Sequence, residues 1–186
     1  ASNNISSSGT ITGDAIKGGV TQNTGSFDFP GAIMGYNVQG LNVGHTSYTL
    51  TTSFAVVDDS LHVNFIVPRS GIVEIEVQIQ LNLGFSSGTS LGLSLSTTNT
   101  AIGYNALATY YEQTVVDPDE NDDVHICHKW VVPGLTPGDE LRYFLGAKVL
   151  STSGNPTLTW GGNSTGRFPD FIMKATALPS NTEIET

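Results

Sequence analysis

The sequence predicts an all-β protein: an antiparallel β-sandwich of the jelly-roll type, preceded by an extended N-terminal arm. Three observations carry that prediction. In the stretch Ile72 to Leu83, apolar and polar residues alternate without a break from Val73 on, with Val73, Ile75, Val77, Ile79, Leu81 and Leu83 on one side and Glu74, Glu76, Gln78, Gln80 and Asn82 on the other. A period of two is that of a strand with one face on a core and the other on water, whereas a helix would scatter these residues around its axis. Roughly eight or nine such segments follow one another between turn residues, and no helical pattern exceeds a turn. Charged residues make up only 13% of the chain, which is rich in Gly, Ser, Thr and Asn, a composition suited to strands and turns.

Residues 1–45 stand apart. Their apolar residues, such as Ile5, Ile11, Ile16, Phe27 and Val38, are isolated and fit neither period. Alone, this segment cannot close a core. It is either a flexible linker or an extended arm that buries its apolar residues against partner chains. The head domain is expected over 46–179. Tyr48, Leu50, Phe54 and Val56 read as one strand face, and Leu61, Val63, Phe65 and Val67 as the next, after an Asp58-Asp59-Ser60 turn. Pro68-Arg69-Ser70-Gly71 turns into the long strand. Leu91, Leu93 and Leu95 follow, then a less regular face of Tyr104, Ala106, Ala108 and Tyr110. Val124, Ile126, His128, Trp130 and Val132 alternate again, as do Leu141, Tyr143, Leu145, Ala147 and Val149. Leu158 and Trp160 mark a short strand, and Phe171, Met173, Ala175 and Ala177 the last, with an acidic tail at 180–186. Eight strands in two sheets is the jelly-roll count. An immunoglobulin-like sandwich is the second choice, without its Cys-Trp-Cys spacing.

A net charge of −10 with only seven Lys and Arg argues against nucleic acid, which needs a basic face, and against anionic membranes. No apolar run approaches the length of a membrane span. Cys127 is the single cysteine, so no internal disulfide forms. The chain opens on Ala rather than Met and is expected to be a fragment or a processed form.

Few constellations point to chemistry. Gly84-Phe85-Ser86-Ser87-Gly88 has the spacing of a nucleophile elbow, but a strand rather than a helix follows it, so it reads as a hairpin loop. His125 and Cys127 fall on one face of a strand and His128 on the other, so they cannot close one zinc site within a chain. The acidic stretch offers Asp117, Asp119, Asp122 and Asp123 as oxygen ligands for calcium, or is a solvated loop. Tyr110, Tyr111, Trp130 and Trp160 are candidate platforms for stacking on sugar rings, although Trp130 falls in the inward-facing set and reads as core. Trp160 leads into a polar loop that adds Asn163, Ser164 and Arg167 as receptor contacts. Glu74 and Glu76 share one strand face and read as a wetted face or an inter-subunit contact rather than a glycosidase pair. No catalytic set emerges, so the expectation is a protein that is not an enzyme.

Phe65-Ile66-Val67-Pro68-Arg69-Ser70-Gly71-Ile72-Val73-Glu74-Ile75-Glu76-Val77 resembles the core hairpin of tumour-necrosis-factor-like and complement-head-like jelly rolls. Together with Trp130-Val131-Val132-Pro133-Gly134-Leu135-Thr136-Pro137-Gly138 and Pro169-Asp170-Phe171-Ile172-Met173-Lys174-Ala175, it resembles the C-terminal head domain of tail fibres of short-tailed, marine-type bacteriophages. Gly9 to Gly19 resembles the short Gly- and Ile-punctuated segments of phage fibre shafts. Glu74 and Glu76 depart from the family pattern, which has an aromatic residue after the Ser-Gly turn. The resemblance implies a homotrimer at the virion surface that recognises a host glycan or protein through distal loops, with the arm tied to other virion proteins. The alternatives are a capsid decoration or head-fibre protein that clamps subunits, and a secreted carbohydrate-binding module.

Overall fold

The alternating stretch forms β5, Val73–Asn82, and its row of Val73, Ile75, Val77, Ile79 and Leu81 is completely buried. In this computed structural model the described residues are 29–41, 44–82, 90–99, 104–108, 111–116, 123–153, 155–163 and 166–184. Before β5 come β1 (Ile33–Gln39), β2 (Thr46–Thr49), β3 (Ala55–Val56) and β4 (His62–Ile66). After it come β6 (Leu91–Ser96), β7 (Gln113–Val116), β8 (Asp123–Val132), β9 (Glu140–Val149), β10 (Thr157–Trp160), β11 (Gly162–Asn163), β12 (Gly166–Arg167) and β13 (Phe171–Ala177).

The first sheet is built on β5. Along one side β8 pairs with its whole length, Val73↔Val132 to Asn82↔Asp123. Along the other side β13 pairs with Val73 to Gln78, and β10 continues the same track over Gln80 to Asn82. These are two halves of one strand, interrupted by an excursion at 161–170 that contains the β11–β12 hairpin. Next to them β1 pairs with β13 and β2 with β10, again one strand broken at 40–45. The second sheet runs β7–β6–β9, with β4 and β3 in turn along the far side of β9. With each broken strand counted once and the small hairpin set aside, eight strands remain. Numbered along the chain, they lie in the orders 1-8-3-6 and 2-7-4-5, so the fold is an antiparallel jelly-roll sandwich.

Between the sheets lie the odd row of β5, Leu91, Leu93 and Leu95 of β6, Trp130 of β8, Tyr143, Leu145 and Ala147 of β9, and Phe171 and Met173 of β13. Each buried aliphatic side chain contributes on the order of 1.5–3 kcal/mol. Trp130 Nε1 donates to Tyr111 O at 3.1 Å, and Phe65 meets Tyr143 edge-on at 5.4 Å. One side of the sandwich is closed by β1 leaning on β4. Asn37 Nδ2 donates to Ser60 O and His62 O, both at 2.7 Å.

Two stretches that carry the family resemblance touch. Leu135 N donates to Gly71 O at 3.0 Å, and a Cβ on Gly71, at φ +67°, would lie 2.7 Å from Leu135 O. Only glycine makes that turn without a clash.

Three expectations are corrected here. The strand expected from Tyr48 to Val56 is two strands in different sheets, β2 and β3, joined by a crossing at 50–54. Leu50 stays in the core, while Phe54 lands on the outer face of the second sheet, with Lys148 Nζ 4.4 Å from its ring. The expected Tyr104 face is not a strand among the described residues. It contributes one bridge, Ala106↔Ser96, and Tyr104 lies across the second sheet, stacked on Phe54 at 5.5 Å. A Cβ at Gly146 would sit 2.5 Å from the Tyr104 ring, so glycine makes room for it. Finally, β1 lies inside the stretch read as an arm, so the sandwich begins before residue 46. Residues 1–28 lie outside the described residues.

Candidate interaction face

The outer face of the first sheet is not a uniformly wetted surface. Register places its side chains in rows that cross β1, β13, β5 and β8. One row is Ile33–Thr176–Glu74–Val131, the next Tyr36–Lys174–Glu76–Lys129, and the third Val38–Ile172–Gln78–Cys127. Beyond them, where β2 and β10 take over, runs Ser47–Thr159–Gln80–His125.

Glu76 is the centre of this face. A lysine stands directly opposite it on each neighbouring strand. Lys174 Nζ lies 3.0 Å and Lys129 Nζ 3.2 Å from Glu76 Oε2, and Lys129 also reaches Glu74 Oε1 at 2.9 Å. Gln78 Nε2 donates to Glu76 Oε1 at 2.8 Å. These long side chains leave Glu76 only 7% exposed. Burial by itself would raise its carboxyl. The hydrogen bonds from Gln78, Lys174 and Lys129 outweigh that and hold it down to about 2. The charges on this face are thus paired within the sheet.

Apolar groups flank the paired charges on both edges. Ile33 is 60% and Tyr36 55% exposed on the β1 edge, and Val131 is 39% exposed on the β8 edge. Further along, Gln80 and Thr159 are buried, and Thr159 Oγ1 has no hydrogen-bond partner among the described residues. A buried hydroxyl in that state costs about 1–3 kcal/mol.

The residues singled out in the sequence fall elsewhere. Trp160 is buried in the core, so its ring does not stand in a loop ready to stack on a sugar. Strand alternation turns it inward alongside Leu158. Tyr111 is also buried, with its carbonyl held by Trp130. Asn163 and Arg167 belong to the backbone of the β11–β12 hairpin. That hairpin leaves the sheet in mid-track rather than at a strand end. Tyr110, Ser164, Asp117, Asp119 and Asp122 lie outside the described residues. Asp123 opens β8, exposed and opposite Asn82. His125 and Cys127 point outward as alternation requires. His128 points inward, its Nε2 2.8 Å from Gln113 Oε1 and its ring edge-on to Trp130 at 4.6 Å. Burial pushes the His128 imidazole below its ordinary range.

The apolar edge on Ile33 and Tyr36 was not singled out from the sequence. The signal available was a Tyr and two Ile/Val residues two to five apart among turn formers, which no period picks out.

No family model matches this chain, and no curated protein matches it. Among solved structures it aligns with the structure of infectious bursal disease virus Gx strain at 12% identity, over 81% of this chain and 35% of that one, with a TM-score of 0.23. This chain thus spans about a third of the aligned one. A superposition that loose adds nothing to the strand order, on which the fold assignment rests.

Proposed function

We propose that the protein is a structural component of a virion, a non-enzymatic head domain that assembles as a homotrimer and presents recognition loops to a host surface. The observation that carries this reading is the outer face of the first sheet. Its charges are neutralised within the sheet, and exposed apolar residues lie along its two opposite edges. Apolar patches on opposite edges of one face suit a head-to-tail contact, in which the β8 edge of one copy meets the β1 side of the next and the ring closes by rotation. The number three comes from the resemblance of the Phe65–Val77 hairpin and the Trp130–Gly138 stretch to trimeric jelly-roll heads. The strand order agrees with that resemblance.

Recognition belongs to the end of the sandwich where β5, β7 and β9 finish and β6 and β8 begin. The chain leaves the two sheets there after β5, β7 and β9. Three copies around an axis would present this end together and raise a weak contact to a useful avidity. Cross-linking the native protein and resolving the products tests the assembly. Discrete bands up to a trimer, lost in Tyr36→Lys, support the reading. A ladder independent of Tyr36 and Val131 overturns the assignment of the face.

A further inference from the structure

On the opposite sheet, between the outer face of β9 and residues 97–99 that leave β6, lies an open groove of about 400 Å³. We infer that this groove is a subsite for a neutral saccharide ring, with Arg142, Asn64 and Glu140 as its polar contacts. The inference does not depend on the trimer, because the groove and the proposed interface are on different sheets.

Across β4 and β9, His62 faces Phe144 and Asn64 faces Arg142, all on the outer side, with Glu140 two residues further along the same row of β9. Arg142 Nε donates to Asn64 Oδ1 at 2.6 Å, which fixes the plane of both groups. That bond uses one guanidinium N–H. The terminal nitrogens of Arg142 and the amide nitrogen of Asn64 donate to nothing else among the described residues. The Glu140 carboxylate has no hydrogen bond or ion pair there either. The groove therefore presents oriented donors beside an unused anionic acceptor. Vicinal sugar hydroxyls, each both donor and acceptor, match that combination.

The floor and the wall are set before any ligand arrives. Phe144 is held against His62, ring centroids 5.3 Å apart, and lends an apolar edge. The wall at Thr97 is pinned from two directions. Thr97 N donates to Asn105 O at 2.8 Å, and Asn105 Nδ2 donates to Thr97 Oγ1 at 2.7 Å. Pre-ordering of this kind lowers the entropic cost of binding. The volume falls in the range of small-molecule sites. Arg142 and Glu140 cancel in charge, and the whole chain carries −10, so an anionic ligand is disfavoured.

The test uses the full chain and the methyl glycosides of glucose, galactose, mannose and N-acetylglucosamine, with methyl glucuronide and inorganic phosphate as anionic probes. Amide chemical shifts report binding. At least one neutral glycoside should bind with Kd of about 1–10 mM. Arg142→Ala and Glu140→Gln should each weaken it tenfold or more with unchanged melting temperature, and Leu41→Ser, on an exposed residue outside the groove, should leave it unaltered. Absence of binding by every neutral glycoside, binding indifferent to both groove variants, or tighter binding of the anionic probes would each overturn the inference. None of these outcomes bears on the oligomeric state.

Discussion

Glu76 sits between two lysines that reach it from opposite sides, and its carboxyl is held at about 2 against an ordinary 4.5. The folded value lies below the unfolded one, so the stabilisation is complete above pH 4.5 and lost as the pH falls toward 2. Screened by solvent at the half-exposed Lys129, its size is about 1–3 kcal/mol. Glu76→Gln should lower stability at pH 7 by about 1–3 kcal/mol and flatten the wild-type decline between pH 4.5 and 2. Denaturant midpoints measured across that range check both statements. An equal acid decline in the variant would mean that other carboxylates carry it. Alternation assigned Glu76 to the outer face correctly, but not its burial. That burial is set by Lys129 and Lys174, which are far away in sequence and meet it only through strand register. Glycine acts at the same scale. Gly40 and Gly161 sit back to back at φ +109° and +70°, and a Cβ on either would lie within 3 Å of the other's backbone. Gly161→Ala should cost about 1–3 kcal/mol, read from the shift of the urea midpoint.

At the scale of elements, the pair of broken strands is the main departure from regular alternation. β13 and β10 share one track beside β5, and β1 and β2 share the next, so both interruptions fall at the same height and Gly40 meets Gly161 there. Trp160 anchors the last residue before one interruption. Trp160→Ala should therefore destabilise the fold by about 3–5 kcal/mol. It tests packing, not recognition. A melting temperature unchanged by that substitution would contradict its place in the core. The long strands were legible because β5, β8 and β9 each run ten residues with one face buried, which gives period two room to show. The crossing at 50–54 was not. Leu50 and Phe54 keep the parity of a single strand while the backbone passes from one sheet to the other. The Tyr104 segment was equally opaque, because its partner is a glycine in β9. Tyr104 also donates to the buried Ser94 hydroxyl, and burial pushes the phenol up to about 12. Tyr104→Phe should cost about 1–3 kcal/mol by removing that partner, measurable by thermal denaturation.

For the molecule as a whole, one sheet carries a charge-neutral face with apolar edges and the other carries a polar groove. The face was half legible in the sequence, since its polar row on β5 is explicit, while the apolar edge on β1 lay in a stretch with no period. The groove was not legible at all. It needs Asn64, Thr97 and Arg142 side by side, and only the sheet pairing brings them together. The face bears the larger claim, that copies of this chain pack head to tail into a closed trimer. Light-scattering mass in solution, at moderate salt and near-neutral pH, addresses it most directly. A closed trimer gives about three times the 19.6 kDa of the chain, falling to the single-chain mass in the double variant Tyr36→Lys and Val131→Lys. A wild-type mass of 19.6 kDa at micromolar concentration would contradict it.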